Sequence, residues 1–505
     1  MSAPTPDAVL DPVVPRLTMA EALALTFLAS GAILVLEIAA ARLVAPFVGN
    51  SLTVYTSIIG IILGGIALGA WAGGRLADLA GPERLLGPAF VAGGLAAMAS
   101  VPVVAILGPA VAGAGQAASI VLGLVAFALP TAILAAVAPM IVRATITDVA
   151  TSGSLVGRLS AVGTVGALVG TFLTGYVLLG LLPVRTLILG VGGLLAVVGL
   201  LGTLRLGRTG AGRVLAALVV AGAGLAAASA VLANPCERES AYYCIAVRED
   251  PDRPAARTLV LDDLRHAHVT LDDPTALEFA YIRWFAAASA DLVEAKPDLA
   301  ALHVGGGGFS FPRYLRSVAP GSEHVVLELD PLVLATAREE LGFAEDPAID
   351  VRLGDARLTL DGVATDSADL VVGDAFGGRS VPWHLATLEF ARALDRVLVP
   401  DGVYVQNLID GPRLAFVRAE VATLREVFEH VAVITWSSVF EGDAGGNVVV
   451  VASHEPIDTA ALEERVRAAV SGATVLAGED ALDGFTAGSP VLTDDYAPAD
   501  QLIGG

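Results

Sequence analysis

The chain has 505 residues, 55% of them hydrophobic, and a formal net charge of −22. Residues 1–233 carry ten Arg, no Lys and seven acidic side chains, and the remainder carries 20 basic against 45 acidic, so the two parts stand at +3 and −25. An acidic second part lacks the basic face that phosphate recognition needs, which excludes nucleic acid as a partner; its charge reads as a solubilising surface.

Residues 1–16 read as a disordered tail, and 17–233 as a membrane domain. Segments near 20–45, 52–74, 85–107, 118–142, 159–182, 186–204 and 213–233 each approach the roughly 20 apolar residues that cross a hydrocarbon core, giving about seven spans. The first is long, lacks a basic leader and runs into further spans, which argues against a cleaved signal peptide. Gly60, Gly64, Gly65 and Gly69, and later Gly163, Gly166 and Gly170, let helices approach closely, as in a packed bundle. Arg75 and Arg84 flank one loop, Arg143 and Arg158 another, and Arg205, Arg208 and Arg213 a third, while the loops at 46–53 and 108–117 have none. By the positive-inside rule the Arg loops are cytoplasmic, so seven spans carry the C-terminal part outside the cell membrane; Arg185 is the exception.

Glu37 is the costly residue of the first span, because a carboxylate in hydrocarbon needs a partner or a wet cavity. Arg42 follows about 140° around an ideal helix, so the two do not share a face. Glu37 is a candidate either for an interhelical contact or for a transport or relay role. The loop from Gly73 to Asp78 resembles that between early helices of major-facilitator transporters, a short and weak signal. After the last span come both cysteines, Cys236 and Cys244, placed to close a small disulfide loop in an oxidising compartment. Two unrelated reduced thiols are the alternative, and two Cys without a nearby His pair do not suggest a metal.

Residues 234–298 read as a small β-rich segment over 242–260 and a helix over 275–290 that lead into the core. From 299 to 455 strands and helices alternate: strands at 299–304, 324–329, 349–353, 369–373 and 403–408, helices at 311–318, 332–341, 384–398 and 413–427, then two late strands at 430–436 and 447–452. This predicts a mainly parallel Rossmann-like sheet covered on both faces, followed by an extension over 456–505. Ligands bind at the C-terminal strand ends of such sheets. Gly305, Gly306, Gly307 and Gly308 let the backbone approach a ligand. Glu328 is placed to accept from ribose hydroxyls, Asp355 to meet an adenine amino group and Asp374 to face the reacting centre, whereas Asp330 reads as a helix cap before Pro331.

The series Leu261-Asp262-Asp263, Tyr281, the glycine turn, Val326-Leu327-Glu328-Leu329-Asp330, Gly354-Asp355-Ala356, 369–374 and Val403-Tyr404-Val405-Gln406 resembles, in order and spacing, the polyamine aminopropyltransferases (spermidine synthases), in the branch fused to a multi-helix membrane domain. The resemblance covers about a third of the chain, over 259–436, and Leu492-Thr493-Asp494-Asp495-Tyr496-Ala497-Pro498 resembles the same branch. It implies transfer of an aminopropyl group from decarboxylated S-adenosylmethionine to a polyamine-like acceptor, without a metal. Gly305, Gly307, Glu328, Asp355 and His266 would hold the nucleoside; Asp374 would take the amine proton; Tyr281, Gln406, Asp494 and Asp495 would contact the amine. It also implies a dimer through the soluble domains.

The amine side departs from the family. Gly308 replaces an Asp of the glycine turn, Gly377 the second carboxylate of a paired-aspartate loop, Ile282 a His, and His266 a nucleoside-contacting Gln. Three readings follow: a membrane-anchored aminopropyltransferase; a methyltransferase that uses S-adenosylmethionine on a membrane-associated or exported substrate; and a transporter or sensor whose soluble domain only binds a nucleoside or polyamine.

Overall fold

The computed structural model describes residues 17–112, 114, 116–146, 152–205 and 211–503. The expected N-terminal tail and Arg208 lie outside the described residues. The chain divides into two units, Met1–Asn234 and Pro235–Gly505.

The first unit is helical. Among the described residues six helices are long and apolar enough to cross a membrane: Met19–Val48, Leu52–Ala80, Pro82–Val111, Ala117–Thr145, Ser152–Leu181 and Val184–Arg205. The seventh expected span corresponds to helix Ala211–Val231, in which Ala217–Val231 is an apolar stretch. Small residues set the helix contacts. A Cβ on Gly69 would lie 2.1 Å from the Ala132 carbonyl oxygen, and one on Gly166 would lie 2.3 Å from that of Phe27. Gly65, Gly69 and Gly73 recur every four residues along this seam, the spacing at which small residues line one helix face. Glu37 sits half-buried in the first helix.

The second unit opens with a four-stranded antiparallel sheet in the order β1 (Arg238–Glu239), β2 (Cys244–Asp250), β3 (Arg253–Leu261) and β4 (Leu264–Thr270). Cys236 and Cys244 form a disulfide across its first strands. Asp262, in the β3–β4 turn with φ of 54°, accepts from the Cys244 amide at 3.0 Å, tying that turn to the bridged cysteine.

Helix Ala280–Ala295 then leads into an eight-stranded sheet. Its strands are β5 (Ala300–Val304), β6 (Glu323–Glu328), β7 (Ile349–Leu353), β8 (Ala368–Gly373), β9 (Leu398–Asp410), β10 (His430–Trp436), β11 (Gly446–Ser453) and β12 (Ala473–Ala477). Their spatial order is β12-β10-β11-β9-β8-β5-β6-β7. Strands β5 to β9 pair in parallel, while β10 to β12 pair antiparallel beyond β9. Near-continuous runs such as Val448-Val449-Val450-Val451 are fully buried because apolar residues cover both faces of the sheet. The outer strand β12 comes from the stretch read as an extension, so the sheet continues past residue 455.

Candidate active site

From β5 the chain winds outward to β6 and β7, then crosses back to β8 on the other side of β5. Outside the strand ends this reversal opens a crevice, the place where ligands bind in such sheets. The register aligns Val304 with Gly373 and Leu327, and Gly373 with Gln406, so the residues that follow β5, β6 and β8 emerge side by side. Gly305 has φ of +100°, and a Cβ there would lie 2.5 Å from the Asp374 carbonyl oxygen. Glycine is what allows these two strand ends to touch.

A cavity of about 230 Å³ opens here, lined by the glycine turn, His266, Tyr281, Asp374, Asn407, Asn447 and Trp436 among others. Asp374 is its chemical centre. The Asn407 Nδ2 donates to Asp374 Oδ1 at 2.9 Å, and the Tyr281 hydroxyl donates to the same carboxyl. The Asn447 Nδ2 donates to Asn407 Oδ1 at 3.0 Å, which fixes which end of the Asn407 amide faces the acid. Burial pushes the Asp374 carboxyl up to about 6, against the lowering effect of those two donors. Burial, then the neighbouring Asp374 charge, raises the Tyr281 phenol well above its ordinary value, so it stays a donor. A carboxyl poised near neutrality with fixed donors can accept a proton from a bound amine.

Glu328 ends β6 beneath the glycine turn. Its Oε2 accepts from the Gly306 and Gly307 amides at 2.9 and 3.2 Å, and its Oε1 from the Asp330 amide at 2.8 Å. Three of a carboxylate's roughly four acceptor positions are thus taken by backbone. Burial raises its carboxyl while these amides oppose the rise. Asp330 caps helix Pro331–Glu340. Asp355 caps the short helix Ala356–Thr359, and its Oδ2 lies 3.1 Å from His384 Nε2. Burial lowers the His266 imidazole to about 4, so the ring is neutral, and its Nε2 is buried without a hydrogen-bond partner among the described residues.

On the amine side the structure separates residues that the sequence groups. Gln406 does not line the cavity: side chains alternate across a strand, so Gln406 faces the opposite side of the sheet, beside Glu420, whose carboxyl burial pushes up to about 8. Its neighbour Asn407 takes the cavity face. Asp494 binds Arg357 at 2.6 Å and accepts from the Thr387 hydroxyl at 2.7 Å, next to the Asp355 side, and Asp495 is exposed. Neither lines the cavity. Sequence reading missed Asn407, Asn447, Trp436, Phe279 and Arg265; the polar Asn447 heading an apolar strand was the one visible signal.

Two of the family departures have different causes. A Cβ on Gly308 would lie 2.6 Å from the Ala267 Cβ on β4, so no side chain fits there. A Cβ on Gly377 would make only ordinary contact, 3.7 Å from the Pro382 Cγ, so its lack of a carboxylate is not imposed by packing. Ile282, on helix Ala280–Ala295, is buried in the core. Gly308→Asp is therefore expected to destabilise the protein by about 1–3 kcal/mol through overpacking, measured by chemical unfolding of the purified chain. A variant as stable as the parent would show that β4 yields.

Among the described residues no group of three or more His, Cys, Asp or Glu is placed to hold a metal ion. No family model matches the chain. Among curated proteins, a polyamine aminopropyltransferase of Vibrio vulnificus is 31% identical over 196 residues, 38% of this chain and 64% of that protein. One of Chromobacterium violaceum is 29% identical over 150 residues, 28% of this chain and 54% of that protein. The match thus spans between half and two thirds of those relatives. Among solved structures, a probable spermidine synthase from Corynebacterium glutamicum has 28% identity and a TM-score of 0.48, covering 51% of this chain and 95% of that one. By sequence, part of this chain is similar to the polyamine aminopropyltransferases.

Proposed function

We propose that the protein is a membrane-anchored transferase that passes an aminopropyl group from decarboxylated S-adenosylmethionine to an amine. The observation that carries this is Asp374, held at the strand reversal by Tyr281 and the Asn447–Asn407 relay, with a carboxyl near 6. The donor supplies a sulfonium whose adjacent propyl carbon is electrophilic. The amine lone pair forms the new C–N bond as the C–S bond breaks and its electrons return to sulfur, releasing a neutral thioether, methylthioadenosine. Asp374 takes the amine proton. Because its carboxylate faces both the ammonium and the sulfonium, it also steadies the charges before transfer.

On the nucleoside side, the free acceptor position on Glu328 Oε1 would receive one ribose hydroxyl. The Asp355 carboxylate would accept from the adenine amino group. The unpartnered nitrogen of His266 suits a further contact, and Gly305 and Gly307 give the close backbone approach. A second reading, methyl transfer from S-adenosylmethionine, is favoured by the missing amine anchors at Gly308 and Gly377. Incubating the detergent-purified full chain with either donor and a panel of amines separates them. Release of methylthioadenosine supports aminopropyl transfer, whereas S-adenosylhomocysteine release in its place would replace that reading with methyl transfer.

The arginine loops and the disulfide support an outward-facing soluble unit, with helix Ala211–Val231 making the odd crossing. In that orientation Cys236 and Cys244 stay bridged in cells and react with an impermeant maleimide only after reduction. Reduction is expected to lower stability by roughly 2–3 kcal/mol, the loop-entropy value for so short a ring. Immediate labelling of unreduced protein would remove the support for the outward placement.

A further inference from the structure

We infer that the acceptor is a primary amine with a single positive charge and an uncharged, apolar far end, rather than a doubly charged diamine; this rests on the aminopropyl-transfer reading. Among the residues lining the cavity Asp374 is the one carboxylate, and Arg265 lines it too, so the formal charges of its wall cancel. A diamine could give one ammonium to Asp374. Its other end would need a second anion, and among the described residues lining the cavity there is none.

The position where an acidic side chain would have to project from the glycine turn is closed, because a Cβ on Gly308 meets Ala267 at 2.6 Å. Asn407 and Asn447 spend their facing groups on each other and on Asp374. The Phe279 ring carries the protein's own cation, with the Arg265 guanidinium carbon 5.6 Å from its centroid. That occupies the seat a second ammonium would use for a cation–π contact, and a like charge beside it is repelled. Trp436 is fixed edge-on against Trp284, with centroids 4.7 Å apart, and stands with Ile409 as an apolar wall. An uncharged hydrocarbon end buries itself against that wall, while an ammonium there is desolvated without an anionic partner.

The test uses the full chain in detergent with decarboxylated S-adenosylmethionine, comparing butylamine with 1,4-diaminobutane, amines of equal chain length that differ by one charge. Methylthioadenosine release gives kcat/KM for each. The expected result is a preference for butylamine of roughly 10- to 100-fold, the range for one unpaired charged group. Arg265→Glu, on an exposed side chain, replaces the cation with a carboxylate, and diaminobutane should then gain about tenfold on butylamine. Equal or faster transfer to diaminobutane by the parent protein would overturn the single-charge acceptor and leave aminopropyl transfer standing. No methylthioadenosine with either amine, while calorimetry still detects bound methylthioadenosine, would overturn both.

Discussion

Asp374→Asn is expected to lower kcat by about 10²- to 10⁴-fold, the range for removing a positioned base, with methylthioadenosine affinity held within about threefold. The amide preserves the shape at the end of β8 and can still meet Tyr281 and Asn407, so the nucleoside half should not sense the change. What disappears is the group that takes the proton. Because burial raises the Asp374 carboxyl to about 6, and the base works only when ionised, kcat/KM for the parent should rise about tenfold per pH unit up to that point and level off above it. Asn407→Leu removes a donor that favours the ionised form, so its acidic limb should move to higher pH by about one unit. Loss of affinity equal to the loss of turnover in Asp374→Asn, or a limb that Asn407→Leu leaves in place, would mean that Asp374 shapes the pocket without moving protons.

Glu328→Ala should weaken methylthioadenosine binding by about 100-fold or more and lower stability by about 3 kcal/mol or more, since each buried donor left unpaired costs about 1–3 kcal/mol. Three backbone amides, of Gly306, Gly307 and Asp330, lose their acceptor together. The glycine turn is then free to leave the conformation that meets the nucleoside. Calorimetry with Glu328→Gln beside the alanine variant separates two roles, because the glutamine keeps one acceptor oxygen and the side-chain volume. Reduced stability with unchanged affinity in both variants would make Glu328 a brace for the turn and nothing more.

Much of the soluble fold was legible because its cause is local. Runs such as 349–353 and 430–436 are bounded by turn residues, and the strands built from them have those bounds. The strand-end acids at 328, 355 and 374 follow from the same periodicity. What escaped is what depends on pairing. Gln406 and Asn407 differ by one position, and only the register with β11 and the burial of Glu420 decide which amide meets the cavity. The contact between Gly308 and Ala267 joins two sheets 41 positions apart in sequence, so no local signal announces it. Strand β12, with the sequence Ala-Thr-Val-Leu-Ala, is too short to stand out until its pairing with β10 is seen. In the bundle, apolar composition located the helices.

The Asn447–Asn407–Asp374 relay has a consequence for how such a protein can change. In the proposed function the glycine turn, Glu328 and Asp355 come from the ends of β5, β6 and β7, whereas the relay and its Trp436 wall come from β9, β10 and β11 on the far side of β8. In the proposed function donor and acceptor recognition therefore draw largely on separate stretches of chain, which meet at Asp374 and at β4 and the helix after it, the source of His266, Arg265 and Tyr281. Substitutions in the β10–β11 hairpin can drift, or be engineered, toward new acceptors while inheriting an unaltered donor site, which makes the hairpin the natural cassette for directed evolution of this scaffold.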